Sequence, residues 1–162
     1  MKEVAILLLA ALMLNGCGSS TPTAQSAAGG VWSASLSGGE GSASGFSFIT
    51  QFTVDSSGTL SFSRFEFINQ GNCFPLNGGA VSGSMGLTEN MATDQVTGSM
   101  TLTVAANGNT LTLSSPDGVN GTLTGTTLSN GSVTGTWSVT GGTGCTDAAG
   151  SFTMMSQTTT KA

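Results

Sequence analysis

The chain has 162 residues and a formal net charge of −5, with 7% charged residues, three Lys or Arg and no histidine. That length suits one domain with a real core, and so few cations exclude nucleic-acid binding, which needs several Lys or Arg to neutralise phosphates. The missing histidine removes the usual general base, the His-dependent triads and the commonest metal ligand.

Met1-Lys2-Glu3 is a short charged start, and Val4 to Leu14 is an unbroken apolar run. The run matches the hydrophobic region of a secretory signal and falls short of the roughly 20 residues of a spanning helix. It closes on Leu14-Asn15-Gly16-Cys17. With Leu14 three before the cysteine and small Gly16 directly before it, this stretch resembles the lipobox of bacterial lipoproteins. The resemblance implies cleavage between Gly16 and Cys17, a diacylglycerol on the Cys17 thiol, and a further fatty chain such as palmitate on the new amine. Two or three chains on one residue anchor stably where a single chain binds only marginally. The partner so implied is a lipid bilayer, and the place is the cell envelope. Gly18 is not the Asp that often retains such proteins at an inner membrane, so the expected address in a two-membrane cell is the outer membrane. The alternative is an ordinary secretory signal, with Cys17 a free or paired thiol.

If Cys17 carries lipid, Cys73 and Cys145 remain as an even pair in an exported chain. That arithmetic favours a disulfide between them, which on the chain-entropy model stabilises by about 4 kcal/mol. The alternative is two unpaired buried thiols.

Residues 17–30 contain no large apolar side chain and read as a flexible tether. From Val31 onward the hydrophobic period is two. Val31 to Leu36 reads as a first strand, Ser37 to Gly45 as a loop, and Phe46, Phe48, Phe52 and Val54 as the buried face of a second strand. Asp55-Ser56-Ser57-Gly58 is a turn signal. Strict alternation over Leu60 to Ile68 puts Leu60, Phe62, Arg64, Glu66 and Ile68 on one face, and Phe65 and Phe67 on the other. Gln70-Gly71-Asn72 breaks the strand. Val81 to Thr88 and Val96 to Val104 follow as strands, with Glu89 to Asp94 as a loop. Asn107-Gly108 is a hairpin turn, because both residue types tolerate positive φ. Asn109 to Ser114 is its partner strand, ended by a turn at Pro116-Asp117-Gly118. Val119 to Leu128 pairs with Ser132 to Thr140 across Ser129-Asn130-Gly131, and Gly150 to Gln157 is the last strand before a frayed tail, 158–162.

The expected fold is therefore all-β: an antiparallel meander of about nine or ten strands over 31–157, following a cleaved signal helix, 1–16. It closes fully or partly into a β-barrel, or else folds over as a β-sandwich, to hide its edges. Gly83, Gly98, Gly121, Gly125 and Gly135 lie inside strand patterns, where glycine marks tight curvature, and they favour the barrel. Gly30-Val31-Trp32 at the start of the first strand resembles the opening of lipocalin- and avidin-type (calycin) barrels.

Catalytic chemistry has little to work with. The carboxylates of the mature chain are Glu40, Asp55, Glu66, Glu89, Asp94, Asp117 and Asp147, mostly at turn positions, so an enzyme is not expected, and the alternative is a hydrolase that uses two of them as a pair. No cofactor is expected. No Asp-x-Asp-x-Asp run suggests calcium, and Met85, Met91, Met100, Met154 and Met155 read as core filler before they read as copper ligands. Arg64 and Glu66 form either a charged pair inside a ligand cavity or, as the favoured reading, a solvated salt bridge. Trp32 and Trp137 either line a site for a small apolar molecule or glycan at a barrel mouth or plug the core, the latter favoured. The expected role is that of a lipid-anchored, non-enzymatic envelope protein, structural or interaction-based, with an envelope protein or a small ligand as partner.

Overall fold

The computed structural model describes residues 31–39, 45–124, 127–142, 145 and 148–157. These form eight strands: β1 (Val31–Gly38), β2 (Ser47–Val54), β3 (Leu60–Asn69), β4 (Ala80–Asn90), β5 (Gln95–Ala106), β6 (Asn109–Thr124), β7 (Thr127–Thr140) and β8 (Ala149–Gln157). All pair antiparallel in one sheet of order β3-β2-β1-β8-β7-β6-β5-β4. Every sequence neighbour except β3 and β4 is thus hydrogen-bonded, and β8 returns to β1. The result is a strongly curled, partly closed barrel rather than a sandwich.

The two edges of the sheet meet at one end, and the β3–β4 connection folds back on β3 further along. Thr59 bridges Ser84, and the Met85 N–H donates to the Gly58 carbonyl at 2.7 Å. Further along, the Phe67 N–H donates to the Leu76 carbonyl at 2.7 Å. Each contact satisfies edge groups that would otherwise template aggregation.

The count is eight, not nine or ten, because Asn109–Thr124 is a single strand. Pro116-Asp117-Gly118 does not end it. Gly98 pairs with Val119 and Met100 with Ser115, so the intervening residues bulge out of an unbroken ladder. Two bonds pin the bulge: the Ser115 hydroxyl donates to the Thr134 carbonyl at 2.7 Å, and the Gly118 N–H donates to Ser115 Oγ at 3.1 Å. Likewise Ser129-Asn130-Gly131 is not the β6–β7 turn but lies within β7. Asn120 pairs with Ser132 and Thr122 with Ser129, which leaves Asn130 and Gly131 as an insertion, with Asn130 at φ 50°.

A third irregularity reverses the faces expected for β3. Gln51 pairs with Arg64 but Phe52 with Phe62, so Ser63 is an extra residue. A bulge of one residue shifts everything beyond it to the other face. Leu60 and Phe67 are consequently buried and Phe62 and Phe65 partly buried against the same core, while Arg64, Glu66 and Ile68 all face solvent.

The interior is filled by aromatic rings. Trp32 stacks on Phe52 at 5.8 Å, Phe48 lies 4.7 Å from Phe65, Phe67 stacks on Phe74 at 5.3 Å, and Phe46 meets the edge of Trp137 at 5.4 Å. Leu102, Leu111, Leu113, Val133 and Met154 pack among them with no exposure. Curvature comes from glycines with no room for a side chain. A Cβ on Gly135 would stand 2.2 Å from the Ser114 carbonyl oxygen, and one on Gly98 would stand 2.0 Å from that of Gly86. The strands coil so closely at these points that a neighbouring carbonyl occupies the position of the missing methyl group.

Candidate functional site

Register assigns the connections to two ends. Val31 pairs with Gln157 and Gly38 with Gly150, so both termini of the β domain leave from one end. The 55–59 and 91–94 turns share that end. Residues 70–79, 107–108, 141–142, 145 and 148 lie at the other. Gly16 and Cys17, the expected cleavage and lipidation residues, lie outside the described residues, as do Glu40, Gly125 and Asp147.

The far end is stapled. Cys73 and Cys145 form a disulfide with Cα atoms 5.8 Å apart, joining the β3–β4 connection to the β7–β8 connection. Both cysteines are buried. Asn109, just past the β5–β6 turn, supports the staple from beneath. Its Nδ2 donates to the Cys73 carbonyl at 2.8 Å, and its Oδ1 accepts the Gly142 N–H at 2.8 Å. Sequence reasoning puts Asn109 at the start of the strand but misses its role, because a polar residue at a strand end beside Asn-Gly gives no sign of a buried partner. Only its place at the first inward position of β6 marks it.

Trp32 and Trp137 are 1% and 2% exposed. Trp32 is level with Ser156 on β8 and Trp137 with Gly150, six residues apart, a separation of about 20 Å along the strand. The two rings therefore do not face one another across a common space. Trp32 Cη2 is close enough to Gly131 that a Cβ there would lie 2.4 Å away, and Trp137 Nε1 donates to the Ser37 carbonyl at 2.9 Å. Each ring fills the core near one end of the curl.

Arg64 and Glu66 form an ion pair of 2.8 Å on the outside, with side chains 48% and 53% exposed. Beside Arg64, between β3 and the chain leading into β4, lies a gap of about 280 Å³ lined also by Phe62, Phe65, Asn77 and Val81. Two of the large apolar side chains that face water are Ile68, at 62% exposure, and Leu76, at 58%.

The near end is organised by Asp55. Its Oδ1 accepts the Ser57 and Thr59 N–H groups at 2.8 and 2.9 Å and the Ser57 hydroxyl at 2.6 Å. The Ser57 hydroxyl, with help from the Thr59 amide, holds the Asp55 carboxyl below its ordinary value of 3.8. The turn so fixed presents the Gly58 carbonyl to Met85 and joins the sheet edges. Among the described residues there is no group of three or more His, Cys, Asp or Glu side chains placed to hold a metal ion. Comparison with family models, with curated proteins and with solved structures gives no match for this chain.

Proposed function

We propose that the protein is a lipoprotein of the bacterial envelope, anchored through Cys17, whose β domain has a non-enzymatic, interaction-based role. The apolar run ending in Leu14-Asn15-Gly16-Cys17 carries this reading. The fold is consistent with it. The chain enters the domain at Val31, at the end opposite the Cys73–Cys145 staple. An anchor at Cys17 then joins the domain at the end opposite the stapled connections and leaves them free to face away from the bilayer. The 14 residues from Cys17 to Gly30 would allow a reach of up to ~45 Å if extended. Packing of both tryptophans into the core supports an outer surface, rather than an interior cavity, as the working part of the domain.

Intact mass of the protein extracted from membranes tests the reading. The expected species begins at Cys17, carries a diacylglycerol and an amide-linked acyl chain, and lacks two hydrogens for the disulfide. Cys17→Ser is expected to leave the uncleaved precursor or a soluble form. A native species that begins at Met1 or bears an unmodified Cys17 thiol overturns it.

A further inference from the structure

The bulge in β6 builds a groove on the outside of the sheet. Pro116 and Asp117 stand out from the ladder as one wall. Gly86 removes the outward side chain from the floor, and Thr88, Thr97 and Ser99 supply hydroxyls along it. The space is about 460 Å³, within the range of roughly 300–1,000 Å³ typical of small-ligand sites. Bulges recur where a strand must re-aim side chains, and this one is held by the two Ser115 bonds rather than by packing alone.

The lining selects by chemistry. It holds one carboxylate, three hydroxyls and no cation. Anions are disfavoured by Asp117 and by the net charge of −5. A lone carboxylate cannot complete the six to eight oxygen ligands of calcium. A ligand with many hydroxyls fits: a carboxylate accepts from paired hydroxyls, Thr and Ser both donate and accept, and the Pro116 ring offers an apolar face to C–H groups. The groove is also continuous with a polar track. Ser84, Thr101, Ser114, Thr136, Ser151 and Ser37 are successive register partners across six strands. Ser84 and Thr101 already share a hydrogen bond of 2.9 Å, as do Ser37 and Ser151. Gly86 lies two residues from Ser84, so a chain seated in the groove would run onto this row.

We propose that the groove between Gly86 and Asp117 binds a neutral polysaccharide segment. The site does not depend on the Cys17 anchor. It is tested by titrating the isotope-labelled full chain in detergent with cellohexaose, maltohexaose and chitohexaose, with an oligogalacturonate as the anionic comparison, and following amide shifts. At least one neutral oligomer should shift Gly86, Ser99 and Asp117 at concentrations up to about 10 mM, and the oligogalacturonate should not. Asp117→Ala should weaken binding about tenfold or more. Gly86→Leu should abolish it, since a Cβ there meets only Ser99 Oγ at 3.3 Å and the added side chain fills the floor. Unchanged indole N–H signals from Trp32 and Trp137 would show that each variant is folded. No shift with any neutral oligomer, shifts confined to other surfaces, equal binding of the anionic oligomer, or full affinity in folded Asp117→Ala would overturn the proposal.

Discussion

The carboxamide of Asn109 and the carbonyl of Cys73 are 2.8 Å apart and buried, so a hairpin side chain reads the position of the disulfide loop directly. The same side chain holds Gly142 on the other branch of the staple. Asn109→Ala removes both the donor to the Cys73 carbonyl and the acceptor of the Gly142 N–H, two hydrogen bonds worth about 0.5–1.5 kcal/mol each. With the lost packing, a loss of about 2–3 kcal/mol is expected in urea unfolding. Asn109→Asp separates the two roles. Its carboxylate can still accept from Gly142 but faces the Cys73 carbonyl with no proton. The folded state should therefore raise the pKa of the new acid. Its destabilisation is full above that raised pKa and relaxes as pH falls towards the unfolded value, because the protonated acid can donate. Melting temperatures of the two variants from pH 7 to pH 4 check this: Asn109→Asp should gain on Asn109→Ala on the acid side.

The staple itself should act mainly on the unfolded chain. Cys73 and Cys145 are 72 residues apart, and closing such a loop is worth about 4 kcal/mol on the chain-entropy account. Cys73→Ser with Cys145→Ser should lower the unfolding free energy by about that much. Intact protein treated with reductant should react slowly until denaturant is added, since both sulfur-bearing residues are almost wholly buried. Equal rates in native and denaturing buffer would contradict the burial.

What the sequence could and could not reveal divides along the same physical line. Period-two alternation places the inward residues of β5 and β7 correctly, from Val96 to Val104 and from Val133 to Val139. The even pair of cysteines places the disulfide. Alternation fails at Ser63, at Pro116-Asp117-Gly118 and at Asn130-Gly131, because a bulge inserts a residue without changing composition. At Ser63 the failure reverses a face, and Arg64 with Glu66 moves from the side of Leu60 and Phe62 to the water. At Pro116 it turns a strand boundary into the wall of a groove. Strong local turn signals such as Pro-Asp-Gly do not reveal whether the ladder resumes in register beyond them.

The exposed ion pair offers a check on that reversal. Arg64 and Glu66 are each about half exposed, 48% and 53%, and pairs in water contribute about 0–1 kcal/mol. Arg64→Ala should change stability by less than about 1 kcal/mol. A buried pair broken on one side would cost about 3–5 kcal/mol instead, so a single denaturation curve distinguishes the two faces.

Glycine substitutions should grade with the space available. A methyl group on Gly108 would meet nothing within 4 Å, but the residue sits at φ 78°, so Gly108→Ala should cost about 1 kcal/mol from backbone conformation alone. Gly135 has no such φ restriction, yet a Cβ would lie 2.2 Å from the Ser114 carbonyl oxygen and 2.8 Å from the Phe152 ring. Gly135→Ala should cost more, about 2–4 kcal/mol, by forcing β6 and β7 apart. Thermal unfolding of the two variants side by side separates the conformational from the steric role.

Asp55 makes the near end sensitive to acid. Its folded pKa lies below the ordinary 3.8, chiefly through the Ser57 hydroxyl. A depressed acid contributes stability that is present above its unfolded pKa and is lost as pH falls through the folded value. Asp55→Asn keeps an acceptor oxygen but has no charge to lose. The gap in melting temperature between the parent and Asp55→Asn should therefore be constant from pH 7 to about pH 5 and close below about pH 4. Hydrogen exchange at Met85 gives the local readout, because its N–H bonds to the Gly58 carbonyl that the Asp55 turn presents. Faster exchange at Met85 in Asp55→Ala, with exchange at Leu111 and Leu113 unchanged, would place the effect at the contact between β3 and β4. A uniform rise across all strands would show instead that Asp55 acts on the fold as a whole.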